Sequence, residues 1–182
     1  PVMRHVFLIN PHAGKQDQTA RIRALADRLA AAHNLDCRCL LTDRPGGAEV
    51  LSRALAETGE PVRIYACGGD GTVHEAANGI AAMTVIPAGT GNDFLKNFGP
   101  DAAKFSDPEH LWDGPEFPLD LIDCNGRLCL TIACSGIDAR IADTVHRYGN
   151  VPGLSGRGSY LLSVAVNFLF KPIGRRWRGE LD

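Results

Sequence analysis

The chain contains a glycine-rich pentapeptide with one carboxylate, Gly68-Gly69-Asp70-Gly71-Thr72, between a short apolar run and a helical pattern. Glycine lets backbone N–H groups come close to phosphate oxygens, and the N-terminus of a following helix favours an anion. Asp70 could hold Mg²⁺, directly or through water, or accept a proton from an attacking hydroxyl, and Thr72 could bond phosphate or cap the helix. The pentapeptide predicts a phosphate site, although a plain strand-to-helix turn with Asp70 as its cap would read the same.

Two further loops combine glycine with polar side chains. They are Asn10-Pro11-His12-Ala13-Gly14-Lys15 and Gly89-Thr90-Gly91-Asn92-Asp93. Each could cradle phosphate, and each taken alone is equally well explained as a simple turn. The chain has neither the G-x-x-x-x-G-K-[ST] spacing of a P-loop nor a G-x-G-x-x-G dinucleotide motif.

Strands and helices that alternate along the first ninety residues must position these loops. Apolar runs at 5–9, 35–41, 61–67 and 83–86 predict four strands. Helical patterns at 19–33, from Val50 to before Gly59, and at 72–80 predict the helices between them. This alternation predicts an α/β fold with a parallel sheet flanked by helices. Ligands bind such sheets beyond the carboxyl ends of the strands, where all three loops fall.

The pattern changes near Asp101. Residues 101–118 predict a loop, and residues 117–123 and 128–134 predict a hairpin around the turn at Asn125-Gly126. A helix at 160–170 and a strand beginning at 175 follow. We therefore divide the chain into a first domain over 1–120 and the beginning of a truncated, β-rich second domain over 121–182.

Composition excludes several classes of protein. The net charge of -2 gives no general attraction to nucleic acid, and we expect no nucleic-acid partner. The six cysteines form no C-x-x-C pair and several lie inside apolar runs, which predicts buried free thiols and a reducing compartment. The longest apolar stretch, 160–170, is too short for a membrane span of about 20 residues. We expect a cytoplasmic protein, with peripheral contact at the membrane left open.

Taken together, three motifs resemble the diacylglycerol kinase catalytic domain family, which includes bacterial lipid kinases and sphingosine kinases. They are Asn10-Pro-x-x-Gly14-Lys15, Gly68-Gly-Asp-Gly-Thr-Val-His-Glu-x-x-Asn-Gly79 and Pro87-x-Gly-Thr-Gly-Asn-Asp-Phe94. The resemblance continues through Leu119-Asp-Leu and Gly136-Ile-Asp-Ala139 to Arg178-Gly-Glu-Leu181, and so covers nearly the whole chain. It implies a nucleotide domain of the NAD kinase and diacylglycerol kinase type, followed by a β-sandwich domain, with the site in the cleft between them.

The resemblance implies ATP and Mg²⁺ as cofactors and Asp70 as the catalytic candidate. It places Asp138 near the head group of the acceptor, although a role as the N-cap of the helix that begins there is favoured slightly. In bacterial members a further acidic base and the magnesium ligands come from the second domain, beyond Asp182, so we assign no metal ligand here. The residues implied to contact the nucleotide are Asn10, Gly14, Lys15, Thr42, Gly68, Gly69, Gly71, Thr72, Glu75, Gly89, Thr90, Asn92 and Asp93.

The leading hypothesis is an ATP-dependent lipid kinase that transfers the γ-phosphoryl group to a hydroxyl of a lipid such as diacylglycerol or a sphingoid base. One alternative is an NAD kinase, since NAD kinases share a Gly-Gly-Asp-Gly loop and a similar two-domain plan. The other is a nucleotide-binding module that does no catalysis in this truncated form. The expected partner is a lipid alcohol substrate, and a homodimer is left open.

Overall fold

The computed structural model describes residues 3–80, 82–134, 136–148 and 156–170. The chain divides into two compact units, Pro1–Thr131 and Ile132–Asp182. The first unit carries all three glycine-containing loops. The domain boundary near residue 120 stays a prediction, as does the β-rich character of the second domain.

The first unit alternates strands and helices in the predicted order. Four parallel strands form one sheet in the order β2-β1-β3-β4, which confirms the α/β fold. Each element begins and ends within a few residues of the predicted bounds. The elements are β1 (Arg4–Ile9), α1 (Thr19–His33), β2 (Asp36–Leu41), α2 (Gly47–Glu57), β3 (Val62–Gly68), α3 (Asp70–Ala77) and β4 (Thr84–Pro87).

The side chains of a strand alternate between the two faces of the sheet, so the apolar strands expose apolar side chains on both faces. Helices cover both faces. On one face, Phe7 and Ile9 of β1 pack against Ile22, Ala26 and Leu29 of α1. On the other face, side chains of β1 and β3 pack against α2, and α3 covers β3 and β4; these residues are Val6, Leu8, Ile64, Ala66, Leu51, Leu55, Val73, Ala76 and Val85. A strand buried on both faces reads as a continuous apolar run, which is why the sequence signal for β1 and β3 was strong.

The carboxyl ends of the four strands line up in register. Ile9 pairs with Leu41 on one side and Cys67 on the other, and Cys67 pairs with Ile86. The chain leaves β1 for β2 on one side and returns to β3 on the other side. The gap between the ends of β1 and β3 is therefore the point at which such sheets form ligand sites.

The segment after β4 corrects one prediction. The sequence predicts a loop over 101–118, and residues 111–118 form neither helix nor strand, but 3₁₀ helices occupy Asp93–Ser106, interrupted at Gly99, and Pro108–His110. Proline and glycine in this stretch suggested an irregular chain, whereas aromatic packing orders it. Phe94 stacks edge-on against Phe98 at 5.4 Å, and Phe98 contacts Phe105 at 4.6 Å between ring centroids. This aromatic cluster packs against the buried side chains of β4 and α3.

The predicted hairpin is present but short. Its strands are β5 (Ile122–Cys124) and β6 (Arg127–Cys129), and they pair antiparallel. Asn125 and Gly126 have φ values of 56° and 79°, the left-handed conformation that a two-residue hairpin turn requires. The Asn78 side chain, just beyond α3, donates to the Leu128 carbonyl and accepts from the Leu128 N–H at 2.9 Å each.

Among its described residues, the second unit contains two helices, α4 (Gly136–Tyr148) and α5 (Gly156–Phe170), which confirms the predicted helix at 160–170. Their contact is polar: Thr144 and Ser163 share a 2.7 Å hydrogen bond, and Asn167 Nδ2 donates to Thr144 Oγ1 at 2.8 Å. The predicted strand beginning at 175 lies outside the described residues. Within the ranges that the structure describes, no helix is long and apolar enough to cross a membrane.

The six cysteines are free thiols, as predicted, but the expectation that they are buried is wrong for most of them. Only Cys67 is buried, while Cys124 and Cys134 are exposed and the other three are half-buried. Burial raises the pKa of the Cys67 thiol, and partial burial raises the pKa of Cys37 to about 11. Apolar neighbours in sequence did not imply burial here because β2 lies at the edge of the sheet and the chain from residue 119 to 127 is exposed.

Candidate functional site

Asn10 joins the first loop to the second. Its backbone N–H donates to the Cys67 carbonyl at 3.0 Å, and its side-chain Nδ2 donates to Thr72 Oγ1 at 3.0 Å. Its Oδ1 accepts the backbone N–H of His12 at 3.0 Å, which closes the loop after β1 into a turn. The loops that follow β1 and β3 are therefore held together by one side chain, as expected for loops at the same edge of the sheet.

Close packing explains most of the glycines in these loops. The N–H groups of Ala88 and Gly89 donate to the Gly68 carbonyl at 2.9 and 3.2 Å. A Cβ at Gly89 would lie 2.7 Å from the nitrogen of Gly69, and one at Gly68 would lie 2.5 Å from the Cβ of Thr72. The contact at Gly89 shows that the second and third loops can approach this closely only with glycine there, and the contact at Gly68 leaves room for the Thr72 side chain within the second loop.

Gly14 and Gly71 have different surroundings. Gly14 has φ of 78°, and a Cβ there would lie 2.7 Å from the Ala88 oxygen, so the first loop also packs on the third. A Cβ at Gly71 would meet nothing within 4 Å. The N–H groups of Gly71 and Thr72, in the first turn of α3, have no partner outside the helix among the described residues. Open space beside Gly71, together with free N–H groups at a helix N-terminus, suits an anion.

Asp70 caps a helix, but not the helix to which it belongs. Its Oδ1 accepts the backbone N–H of Asp93 at 2.6 Å and that of Phe94 at 3.3 Å, the first two residues of the 3₁₀ segment. Its own N–H donates to the Gly91 carbonyl at 3.3 Å. The second oxygen, Oδ2, accepts no hydrogen bond from any residue in the described ranges. Asp70 thus fastens the third loop while keeping one carboxylate oxygen available.

Glu75 holds the loop between β2 and α2. Its Oε1 accepts the Gly46 N–H at 2.8 Å and its Oε2 accepts the Ala48 N–H at 3.2 Å, so it caps the N-terminus of α2. Thr42 stands at the end of β2, where its N–H donates to the Ile9 carbonyl at 2.9 Å, and is 6% exposed. The predicted residues Thr42 and Glu75 therefore both lie at the β2 side of the site.

The remaining predicted residues of the third loop differ in burial. Asn92 Nδ2 donates to the Gly89 carbonyl at 3.1 Å, while its Oδ1 is buried without a hydrogen-bond partner among the described residues. Thr90 and Asp93 are exposed, as is Lys15 in the first loop. An unsatisfied buried oxygen costs free energy, so Asn92 Oδ1 is suited to accept a hydrogen bond from a ligand.

Two further residues are Asp138, whose contact with the acceptor stays a prediction, and Lys96. Asp138 is exposed in the first turn of α4 and belongs to the second unit. The sequence pattern does not indicate Lys96, yet its Nζ lies 2.6 Å from Asp93 Oδ1, and the hydrogen bond to Asp93 raises the pKa of Lys96. The three-residue spacing from Asp93 could have identified it only if a helix had been predicted there.

The described part of the chain contains no group of three or more His, Cys, Asp or Glu side chains suited to a metal ion. Mg²⁺ usually binds through one or two carboxylates together with substrate phosphates, and does not need a cage built only of protein groups. The available Oδ2 of Asp70 fits that mode of binding. A cation here would therefore take its other ligands from phosphates and water.

Comparisons with known proteins agree with this architecture. The chain is 31% identical over 188 residues to "Probable lipid kinase YegS-like" of Pseudomonas fluorescens, covering 92% of this chain and 59% of that protein. It is 38% identical over 82 residues to "Diacylglycerol kinase" of Bacillus subtilis, covering 40% of this chain and 26% of that protein. The chain thus spans about three fifths or less of the length of these curated relatives.

A crystal structure of a diacylglycerol kinase from Bacillus anthracis str. Sterne superimposes with a TM-score of 0.54 at 28% identity. The match covers 69% of this chain and 47% of that one. The family model of the diacylglycerol kinase catalytic domain matches residues 4–124, which include the whole sheet and all three loops. The chain belongs to the diacylglycerol kinase catalytic domain family.

Proposed function

We propose that the full-length protein is an ATP-dependent lipid kinase and that this chain provides its nucleotide site. The reaction would transfer the γ-phosphoryl group of ATP to a hydroxyl of a lipid such as diacylglycerol or a sphingoid base. Relatives named as lipid kinases support the class of acceptor. A cytoplasmic location, peripheral contact with the membrane and a homodimer stay predictions.

One observation carries the proposal. Asn10, Thr42 and Gly68 stand at the ends of three neighbouring strands, and the free N–H groups of Gly71 and Thr72 open onto the same edge of the sheet. Phosphoryl transfer requires mainly positioning and neutralisation of charge. A rigid row of strand ends beside a helix N-terminus supplies both.

Residues from all three loops would contribute to positioning the nucleotide and neutralising its charge. The α3 N–H groups would bind phosphate oxygens, Lys15 would add a positive charge from the first loop, and Asn92 Oδ1 would accept a hydrogen bond from the nucleotide. Asp70 Oδ2 would hold Mg²⁺, which when bound neutralises phosphate charge, or would accept the proton of the attacking hydroxyl. Asp138, in the second unit, stays a candidate for contact with the acceptor head group.

The test is transfer of labelled phosphate from ATP by the full-length protein, with diacylglycerol, a sphingoid base, ceramide and NAD as acceptors. Asp70→Asn keeps an oxygen that can cap the 3₁₀ segment but removes the charge, and we expect it to lower kcat roughly 100-fold or more. Asp101→Asn is the matched control. Asp101 is an exposed acid within the 3₁₀ segment, and in the described structure it pairs only with Lys104.

Labelled lipid that is lost with Asp70→Asn and kept with Asp101→Asn would support the proposal. Labelled NAD would instead assign the protein to the NAD kinases. ATP binding without transfer to any acceptor would indicate a nucleotide-binding module, and absence of ATP binding would refute the nucleotide site itself.

A further inference from the structure

We propose that Glu75 is a positioning residue that does not itself touch the nucleotide. It holds the loop between β2 and α2 in place, and through this loop it positions Thr42 at the nucleotide site. This inference rests on the proposed function. The family resemblance placed Glu75 among the nucleotide contacts because it belongs to the glycine-rich motif. The structure gives its carboxylate a different set of partners.

Both oxygens of the Glu75 carboxylate are engaged by backbone of a neighbouring helix. Oε1 accepts from Gly46 and Oε2 from Ala48, at 2.8 and 3.2 Å. The N-cap residue of α2 is Gly46, in the left-handed conformation with φ of 83°, and it has no side chain with which to cap the helix. A carboxylate from α3 therefore satisfies N–H groups that α2 cannot satisfy itself, and its charge favours that end of the helix.

The first turn of α2 packs directly on Thr42. A Cβ added to Gly47 would lie 3.3 Å from the Cβ of Thr42 and 3.6 Å from its Cα. Thr42 is also fixed to the end of β1 through the Ile9 carbonyl at 2.9 Å. The loop from Thr42 to Gly47 is thus clamped at one end by the sheet and at the other end by Glu75.

A second contact between α2 and α3 holds the two helices together close to Glu75. Ser52 Oγ donates to the Ala76 carbonyl at 3.1 Å, one residue after Glu75, and Ser52 is fully buried. A Cβ at Gly79 would lie 2.5 Å from the Glu49 carbonyl, so α2 and α3 approach closely. Because Glu75 belongs to α3 and α2 is fixed against α3, the position of α3 determines the position of the α2 N-terminus. The position of α3 therefore also determines where Thr42 lies in the site.

The experiment compares Glu75→Gln and Glu75→Ala in the full-length protein with a matched control, Glu49→Gln. Glu49 is an acid in the first turn of α2 that pairs with Arg53 and Arg127 and does not cap the helix. Amide hydrogen exchange at Gly46 and Ala48 tests the cap without any nucleotide. We expect exchange to quicken roughly fivefold in Glu75→Ala, less in Glu75→Gln, which retains one acceptor oxygen, and not at all in Glu49→Gln.

Kinetics test the link to the site. We expect Glu75→Ala to raise KM for ATP roughly threefold to tenfold with kcat little changed, and Glu75→Gln to recover part of that loss. If Glu75 acts through Thr42, the effects of Glu75→Ala and Thr42→Val on KM will not be additive. Additive effects would indicate a separate, direct contact and would overturn the inference, as would faster exchange with unchanged KM, or unchanged exchange.

The wild-type arm separates this inference from the proposed function. A wild-type protein that binds and turns over ATP while the Glu75 variants match it would refute only the role of Glu75. A wild-type protein that does not bind ATP would refute the nucleotide site, and the positioning role would fall with it even if the exchange data confirmed the cap.

Discussion

Replacing Gly71 by alanine should strengthen the fold and weaken ATP binding at the same time. The new Cβ would meet nothing within 4 Å, and Gly71 lies in the first turn of α3 with helical geometry. Alanine in a helix is favoured over glycine by roughly 0.5–1 kcal/mol, so the free energy of unfolding should rise by up to that amount. The methyl group would instead enter the open space beside the free N–H groups, which the proposed function assigns to phosphate oxygens.

The loss of affinity follows from overpacking, which costs typically 1–3 kcal/mol and corresponds to a roughly fivefold to 150-fold higher Kd for ATP. Denaturant unfolding and titration calorimetry with ATP measure the two effects separately. Gly89→Ala provides the contrast, because its Cβ would lie 2.7 Å from the backbone nitrogen of Gly69 and should destabilise the fold. An unchanged Kd in Gly71→Ala would refute phosphate binding at this helix end. A lower free energy of unfolding in Gly71→Ala would refute the claim that a Cβ at this position meets no other atom.

Three further outcomes are expected. Gly79→Ala should lower the free energy of unfolding by roughly 1–3 kcal/mol in denaturant titrations, since its Cβ would lie 2.5 Å from a backbone oxygen of α2; wild-type stability would contradict that packing. Burial, with the Arg63 guanidinium adding to it, lowers the pKa of His5 below its usual 6.5, so the unfolded state binds the proton more readily. Stability should therefore fall as the pH drops below about 6.5, and His5→Gln, which can still bond the Tyr65 hydroxyl, should flatten that fall; an equally steep fall would rule out His5 as its source. Iodoacetamide followed by mass spectrometry should modify Cys124 quickly and Cys67 only on unfolding, because burial hides the Cys67 thiol and raises its pKa; early labelling of Cys67 would show that the sheet core opens.

The sequence predicted well those features that depend on local pattern. Four apolar runs separated by helical periodicity were enough to predict the sheet, and Asn125-Gly126 was enough to predict the hairpin turn. The 3₁₀ helices over Asp93–Ser106 were missed because Gly99 and Pro100 are breakers of regular helix, and only contact among Phe94, Phe98 and Phe105 shows why the segment is ordered. The thiols were judged buried from neighbours in sequence, although exposure depends on the place of the strand in the sheet.

For the candidate site, the sequence by itself determined which residue types lie at the strand ends, because glycine and the polar residues after each apolar run are local facts. It also placed three loops at one edge, since parallel strands share a direction. Only the tertiary structure decided what each carboxylate does. Asp70 reaches the start of the 3₁₀ segment and Glu75 reaches the start of α2, partners distant in sequence by 23 and 29 residues. A hydrogen bond between segments depends on how helices pack across the sheet, and no spacing within one motif contains that information.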